Sequence, residues 1–206
     1  MIDILVIGDF HIPKRGSEIP PIIKKKLHEL ISQKYFDFVV CTGDIVRSPD
    51  TINYLKSLAN KKFFVVQGNM DYFYGNREAP LFEKLFLKGN DNSEIIIGLT
   101  HGDIVVPRGD KHELCKIAEE NKSNILISGH THSADIFLTD NGVLLLNPGS
   151  CTGAWSFVAS GIPSFMIMRF DPKSNYIEIT LYELKSNSIE TKTDYFRFKD
   201  KQIFKI

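Results

Sequence analysis

Seven residues of the chain pair metal-ligand chemistry with a shared kind of position. Asp9, His11, Asp44, Asn69, His101, His130 and His132 each lie where a short apolar run ends. The runs are "IDILVIGDFH", "FDFVVCTGD", "KKFFVVQGN", "SEIIIGLTHGD" and "SNILISGHTH", and each reads as a strand opening into a loop. One such residue alone reads as a turn or cap residue. Seven nitrogen and oxygen donors at five strand ends are a set that can gather round a cation. Carboxylate and imidazole without thiolate suit Mn²⁺, Zn²⁺ or iron rather than Ca²⁺. Two such ions about 3.5–4 Å apart can activate water and stabilise charge on a phosphoryl group. Asp9 and Asp44 bring only two negative charges, so a centre with two divalent ions stays electropositive and suits a phosphate anion.

The elements that must position these residues are also legible. "PPIIKKKLHELISQK" predicts a helix, with Pro20 and Pro21 at its start and Ile22, Ile23, Leu27, Leu30 and Ile31 as its apolar stripe. "SPDTINYLKSLAN" predicts a second, with Ser48 or Asp50 as N-cap. Between three strands these helices make two βαβ-like units and a partly parallel sheet. In such sheets a ligand lies beyond the carboxyl ends of the strands. The second half is richer in strand, with "GVLLLNPGS", "SFMIMRFD" and "NYIEITLYEL", and a helix over about 111–121 between the two histidine clusters. The expected organisation is a single domain over 1–184. A polar, alternating tail follows over 185–206, read as a loosely attached strand pair or a partly disordered segment.

Composition narrows the function. Among 206 residues, 25 Lys and Arg balance 25 Asp and Glu, so the chain lacks the basic excess of a nucleic-acid binder. Cys41, Cys115 and Cys151 are widely spaced and form neither a CxxC pattern nor a disulfide framework. They read as buried thiols in a reducing compartment. The N-terminus lacks a basic leader and no run is long enough to span a bilayer, so a cytoplasmic protein is expected.

Gly8-Asp9-x-His11, Gly43-Asp44, Gly68-Asn69-x-Asp71, His101-Gly102 and Gly129-His130-Thr131-His132 resemble the metallophosphoesterase signature, in order and spacing. The resemblance implies a four-layer α/β/β/α sandwich of two mixed sheets flanked by helices. It implies one ion held by Asp9, His11, Asp44 and His132, and a second by Asp44, Asn69, His101 and His130. A narrower resemblance lies in "GDFHIPKR", "NYLKSLA", "ILISGHTH", "NPGSCTGA" and "IPSF". Over about residues 2–184 the chain is similar to the family of the small phosphoesterase-fold subunit of retromer, vacuolar protein sorting protein twenty-nine. That family implies a scaffold in endosome-to-Golgi sorting, with a large α-solenoid partner over the metal-site side. It implies a cytoplasmic protein, peripheral on endosomes only through the complex. Ile104, Val105 and Val106 would lie near the solenoid contact, and read equally as a strand end in the core. Ile167 and Tyr182 match a second apolar patch for regulatory partners. Tyr182 alternates with Ile177, Ile179 and Leu181, so it can face away from the core.

The departures matter as much. Animal members of the retromer subunit family carry Asn and Asp where this chain has Asp44 and Asn69, so its metal site reads as more enzyme-like. Met70 stands where catalytic members carry a histidine that stabilises or protonates the leaving oxygen. A thioether has no proton to give, and such help is typically worth about 10²–10⁴-fold. Asp103 replaces another family histidine. Pointing inward it would weaken phosphate binding; pointing outward it would be solvated. Asp71 is expected to orient a neighbour, His28 and His112 to be solvated on helices, and Trp155 to pack. Two readings follow: a retromer-type scaffold, or a weakly active metal-dependent phosphodiesterase or phosphatase.

Overall fold

A computed structural model describes residues 1–32 and 34–206. In chain order the elements are β1 (Ile2–Ile7), α1 (Pro21–Ile31), β2 (Phe36–Cys41), α2 (Pro49–Ser57), β3 (Ala59–Val65), the single turn α3 (Asn69–Phe73), β4 (Phe82–Lys88), β5 (Glu94–Thr100), α4 (Lys111–Glu120), β6 (Ile125–Ile127), β7 (Ala134–Leu138), β8 (Leu144–Pro148), β9 (Ser164–Asp171), β10 (Tyr176–Lys185), β11 (Ser188–Lys199) and β12 (Gln202–Lys205). They form a seven-stranded sheet, β12-β11-β10-β9-β1-β2-β3, and a five-stranded sheet, β4-β5-β6-β8-β7. Both are mixed. β1, β2 and β3 run parallel, as do β5, β6 and β8, while β9 to β12 and the edge strands β4 and β7 pair antiparallel.

Side-chain alternation sorts the chain into four layers. In β1, Ile4 and Val6 face the other sheet, where they meet residues such as Ile97, Ile125 and Leu144. Leu5 and Ile7 face the helices, packing with Ile23 and Leu27 of α1 and Leu55 of α2. On the far side Leu114 and Ala118 of α4 pack on Leu126 and Leu145. Burying each large apolar side chain stabilises the fold by about 1.5–3 kcal/mol. Ser48 caps α2, its Oγ accepting from the Thr51 amide at 3.3 Å, while Asp50 sits in the first turn.

Three elements have no counterpart in the sequence-based expectation: α3, β4 and β7. α3 is five residues long, too short to show a helical period. β4 and β7 are edge strands, and in β4 only Leu85 and Leu87 are buried, alternating with exposed Phe86 and Lys88. The C-terminal segment is also better built than a loose tail. β11 pairs with β10 from Arg197–Tyr176 to Ser188–Lys185, and β12 pairs back on β11. Its alternation is that of a sheet with one buried face, since Phe196, Phe198 and Ile203 enter the core between the sheets. No helix among the described residues is long and apolar enough to cross a membrane.

Candidate metal centre

The carboxyl ends of β1, β2 and β3 and those of β5 and β6 meet at one end of the sandwich. The loop after β1 supplies Asp9 and His11, that after β2 supplies Asp44, and α3 begins with Asn69. The loops after β5 and β6 supply His101 and the pair His130 and His132. The backbone there is unusual. Asp9, His11, Asp44, His130 and His132 all have φ between 52° and 68°. A non-glycine residue with positive φ costs roughly 1–2 kcal/mol, and such conformations cluster where the surroundings over-determine them. Here the loops lock each other: the Asp9 amide donates to Gly43 O at 3.0 Å, that of His11 to Asp44 O at 2.9 Å, and that of Gly129 to His101 O at 2.9 Å. Two glycines are required by close approach. A Cβ on Gly68 would lie 2.0 Å from Asp44 Oδ1, and one on Gly129 would lie 2.6 Å from Asp9 Oδ2.

The side chains converge in two overlapping groups. Asp9, His11, Asp44 and His132 are all buried, and one ligand atom from each lies within 4.8 Å of the others. His11 Nε2 faces His132 Nε2 at 2.9 Å, and His132 Nε2 lies 3.4 Å from Asp9 Oδ1. In the second group His101 Nε2 lies 3.1 Å from Asn69 Oδ1 and 3.2 Å from His130 Nδ1. Asp44 joins them. Its Oδ2 lies 3.4 Å from His11 Nε2 and 3.5 Å from His101 Nε2, while its Oδ1 accepts from the Met70 amide at 2.8 Å.

This donor set fits a cation. His132 Nδ1 donates to Ala154 O at 2.8 Å, which leaves its Nε2 lone pair aimed into the site. Burial drives His11 down to about 4 against the charges of Asp44 and Asp9, so its imidazole is neutral at pH 7. Burial, with the charges of His101 and Arg108, drives His130 down to about 4 as well. His101 goes the other way. Burial opposes its protonation, but the hydrogen bond and charge of Asp44, the charge of Asp9 and the Thr42 carbonyl raise it to about 10. Asp44 is held well below the usual carboxylate range: burial works against this, and the hydrogen bond and charge of His101 outweigh it. Of these imidazoles only His101 gains positive charge, drawn by Asp44 and Asp9, and a divalent ion would supply that charge in its place.

Around this centre the expected residues fall in several places. Asp71 orients neighbours: its Oδ1 accepts from the Val46 amide at 2.6 Å and its Oδ2 from Gly68 at 3.2 Å. Burial lifts it to about 6, aided by the charge of Asp44 and opposed by those amides. Met70 lines the cleft above the donors. Asp103 is exposed, as are His28 and His112 on their helices. Ile104 and Val106 are 73% and 79% exposed, whereas Val105 between them is buried in the core beneath α4. Ile167 and Tyr182 do not form a surface patch. Tyr182 faces away from the inter-sheet core, as its alternation requires, but that face is covered by α1. Both residues are buried there, and Tyr182 stacks on Phe165 with centroids 4.7 Å apart. Trp155 is exposed rather than packed, because its loop carries it to the rim of the cleft. Sequence patterns did not reveal Arg15, Arg108 and Phe157, which line that cleft with it.

The model of the calcineurin-like phosphoesterase superfamily domain matches residues 2–173. The chain belongs to that superfamily. It is 37% identical over 174 residues to a protein of Methanothermobacter thermautotrophicus named "Probable metallophosphoesterase", covering 84% of this chain and 89% of the relative. Its fold is that of the Vps29 proteins. A single-mutant Vps29 from Entamoeba histolytica superposes with a TM-score of 0.82 at 31% identity, over 95% of this chain and all (100%) of that one. The wild-type Vps29 of the same organism, solved with Zn²⁺, superposes with a TM-score of 0.77 at 32% identity, over 93% and 98% of the two chains.

Proposed function

We propose that the chain is a metal-dependent phosphodiesterase that works without a side-chain acid at position 70. The observation that carries this reading is the place of Asp44 Oδ2, between His11 Nε2 at 3.4 Å and His101 Nε2 at 3.5 Å. One ion would take Asp9, His11, Asp44 and His132, a second would take Asp44, Asn69, His101 and His130, and Asp44 would bridge them. Mn²⁺, Zn²⁺ or iron suits these donors. Bound there, the ions supply an acidified water and neutralise phosphoryl charge. The chain's own residues fix the rest. The strained loops hold the donors in place, and the Met70 amide fixes the free rotor of Asp44. In the reaction water oxygen joins phosphorus, one P–O ester bond breaks, and the departing oxygen takes up a proton. Met70 cannot give that proton, which favours diesters whose leaving oxygen is a weak base. Hydrolysis of bis(p-nitrophenyl) phosphate with Mn²⁺ tests the reading, wild type beside Asp44→Asn. Turnover that falls at least ~100-fold in the variant is expected, since Asp44→Asn removes the negative charge that the two ions would share. No turnover in a metal-loaded wild type would overturn it.

A second reading, a retromer-type scaffold subunit, is favoured by the Vps29 likeness and by Ile104 and Val106, two exposed apolar side chains in the loop after the metal-site His101. A large α-solenoid partner seated there would cover the metal-site side and place the protein on endosomes only through the complex. Regulatory partners would need a face other than Ile167 and Tyr182. The two readings are compatible, because a partner over the cleft would close an enzyme rather than replace it. Pull-down with the cognate solenoid subunit, weakened by Val106→Asp, is the expected result; wild type that fails to bind removes this reading.

A further inference from the structure

The cleft above the donors carries an exposed aromatic pair that phosphoryl chemistry alone does not need. Trp155 and Phe157 are 62% and 82% exposed, and their rings meet edge to face with centroids 5.0 Å apart. Leaving two large apolar rings in water forgoes the stabilisation of burial. Arg15 and Arg108 line the same cleft. Among the described residues neither guanidinium is paired with a carboxylate. Arg15 Nη1 donates to Trp155 O at 2.9 Å, and Arg108 lies 6.0 Å from the Phe157 ring centroid.

The loop that carries the aromatic pair is also tied to the loops of the candidate metal donors. Ser150 Oγ donates to Asp9 O at 2.7 Å and accepts from the Ala154 amide at 2.8 Å. Ala154 O accepts from His132 Nδ1 at 2.8 Å, and Ser156 Oγ donates to Thr131 O at 2.7 Å. Residues on both sides of Trp155 are thus tied to the loops of Asp9 and His132. The backbone that carries the rings is held at a set place relative to where a phosphoryl group would sit.

We infer that the cleft takes a small phosphodiester in which one ester group carries a planar heteroaromatic ring, as a nucleoside does. The phosphoryl group lies over the donors, the ring packs on Trp155 and Phe157, and Arg15 and Arg108 offset the phosphate charge. The thioether of Met70, in the same cleft, is a further favourable neighbour for an aromatic edge. A long nucleic acid does not fit a chain with 25 basic and 25 acidic residues. Stacking of one base on an aromatic side chain corresponds to about 5- to 150-fold in affinity. This inference rests on the phosphodiesterase reading and names its substrate class.

Trp155 is the only tryptophan, so its fluorescence reports on the cleft directly. The wild-type protein with Zn²⁺ is titrated with AMP and, separately, with ribose phosphate. Saturable quenching by AMP is expected, at least ~5-fold tighter than ribose phosphate measured by competition, and at least ~5-fold weaker in Phe157→Ala. In parallel, two diesters with the same leaving group are compared, the p-nitrophenyl ester of thymidine monophosphate and methyl p-nitrophenyl phosphate. The nucleoside ester is expected to have the higher kcat/KM, and in Trp155→Ala the ratio collapses toward one. Equal hydrolysis of both esters, without AMP quenching, would overturn the substrate class, hand the aromatic rim to a protein partner and leave the phosphodiesterase reading standing. Hydrolysis of neither ester would remove that reading and this inference with it.

Discussion

Replacing Met70 with histidine asks directly what the cleft lacks. Met70 lines the cleft, and its backbone amide, which any residue keeps, holds Asp44. Met70→His should therefore leave metal binding intact and add a proton donor. The expected gain is roughly 10-fold or more for a methyl diester, whose leaving oxygen needs a proton, and under about 3-fold for a nitrophenyl leaving group. Equal gains on both would mean that the histidine acts by charge and not by proton donation. At this scale the seven residues that meet at one end were legible as candidate donors because each follows a strand and each carries its chemistry in its side chain. The groups that orient them were not. Thr42 O and Ala154 O set the imidazoles of His101 and His132, and a backbone carbonyl leaves no mark in a residue's identity. The rim residues come from three distant segments, Arg15, Arg108 and the pair Trp155 and Phe157, which meet only through the loops.

The elements show the same division. Strands buried on both faces announced themselves as apolar runs, and βαβ spacing pointed to the parallel part of the seven-stranded sheet, while the parallel pairing of β5, β6 and β8 was not read from spacing. Edge strands β4 and β7 did not, because half of each faces water and the alternation is diluted by charge. β11 carried a two-residue period, Asp194, Phe196, Phe198, legible as an alternating tail, but its surrounding Lys, Thr and Glu hid how firmly one face packs. Its burial makes a prediction. Phe196 is 1% exposed in the core between the sheets, so Phe196→Ala should cost about 3–5 kcal/mol in urea denaturation. A loss under 1 kcal/mol would mean that the last two strands are not integral. At the start of β2, Asp37 accepts from the Asp3 amide at 3.0 Å and pairs with Lys34 at 2.8 Å and Lys61 at 3.1 Å. Burial works to raise Asp37, but the Lys34 hydrogen bond, the Asp3 amide and the Lys61 hydrogen bond outweigh it and lower it from 3.8 to about 2. A depressed carboxylate stabilises the fold above its unfolded value and loses that contribution as pH falls through its folded one. Asp37→Asn should therefore cost about 1 kcal/mol at neutral pH, and the gap should close between pH 4 and 2. A gap independent of pH would assign it to packing.

For the whole molecule, the sandwich brings seven buried or half-buried donors and five left-handed backbones to one end. The two proposed roles, two-metal chemistry and a partner-covered scaffold, would both use that end, so the Vps29 likeness and the donor set do not conflict. A centre of this kind couples metal to stability. A divalent ion at 1,000 times its Kd should stabilise the fold by about 4 kcal/mol, raise Tm accordingly and lose the gain on adding EDTA. Tm unmoved by Mn²⁺ and Zn²⁺ would leave the donor cluster without a ligand.

Metal content tests the central claim most directly. Protein loaded with Mn²⁺, passed through a desalting column and assayed by mass spectrometry should hold two ions per chain. Asp44→Ala, which removes the bridge, should hold one or fewer. Wild type without bound metal, or a variant with the same content as wild type, would contradict a centre built around Asp44.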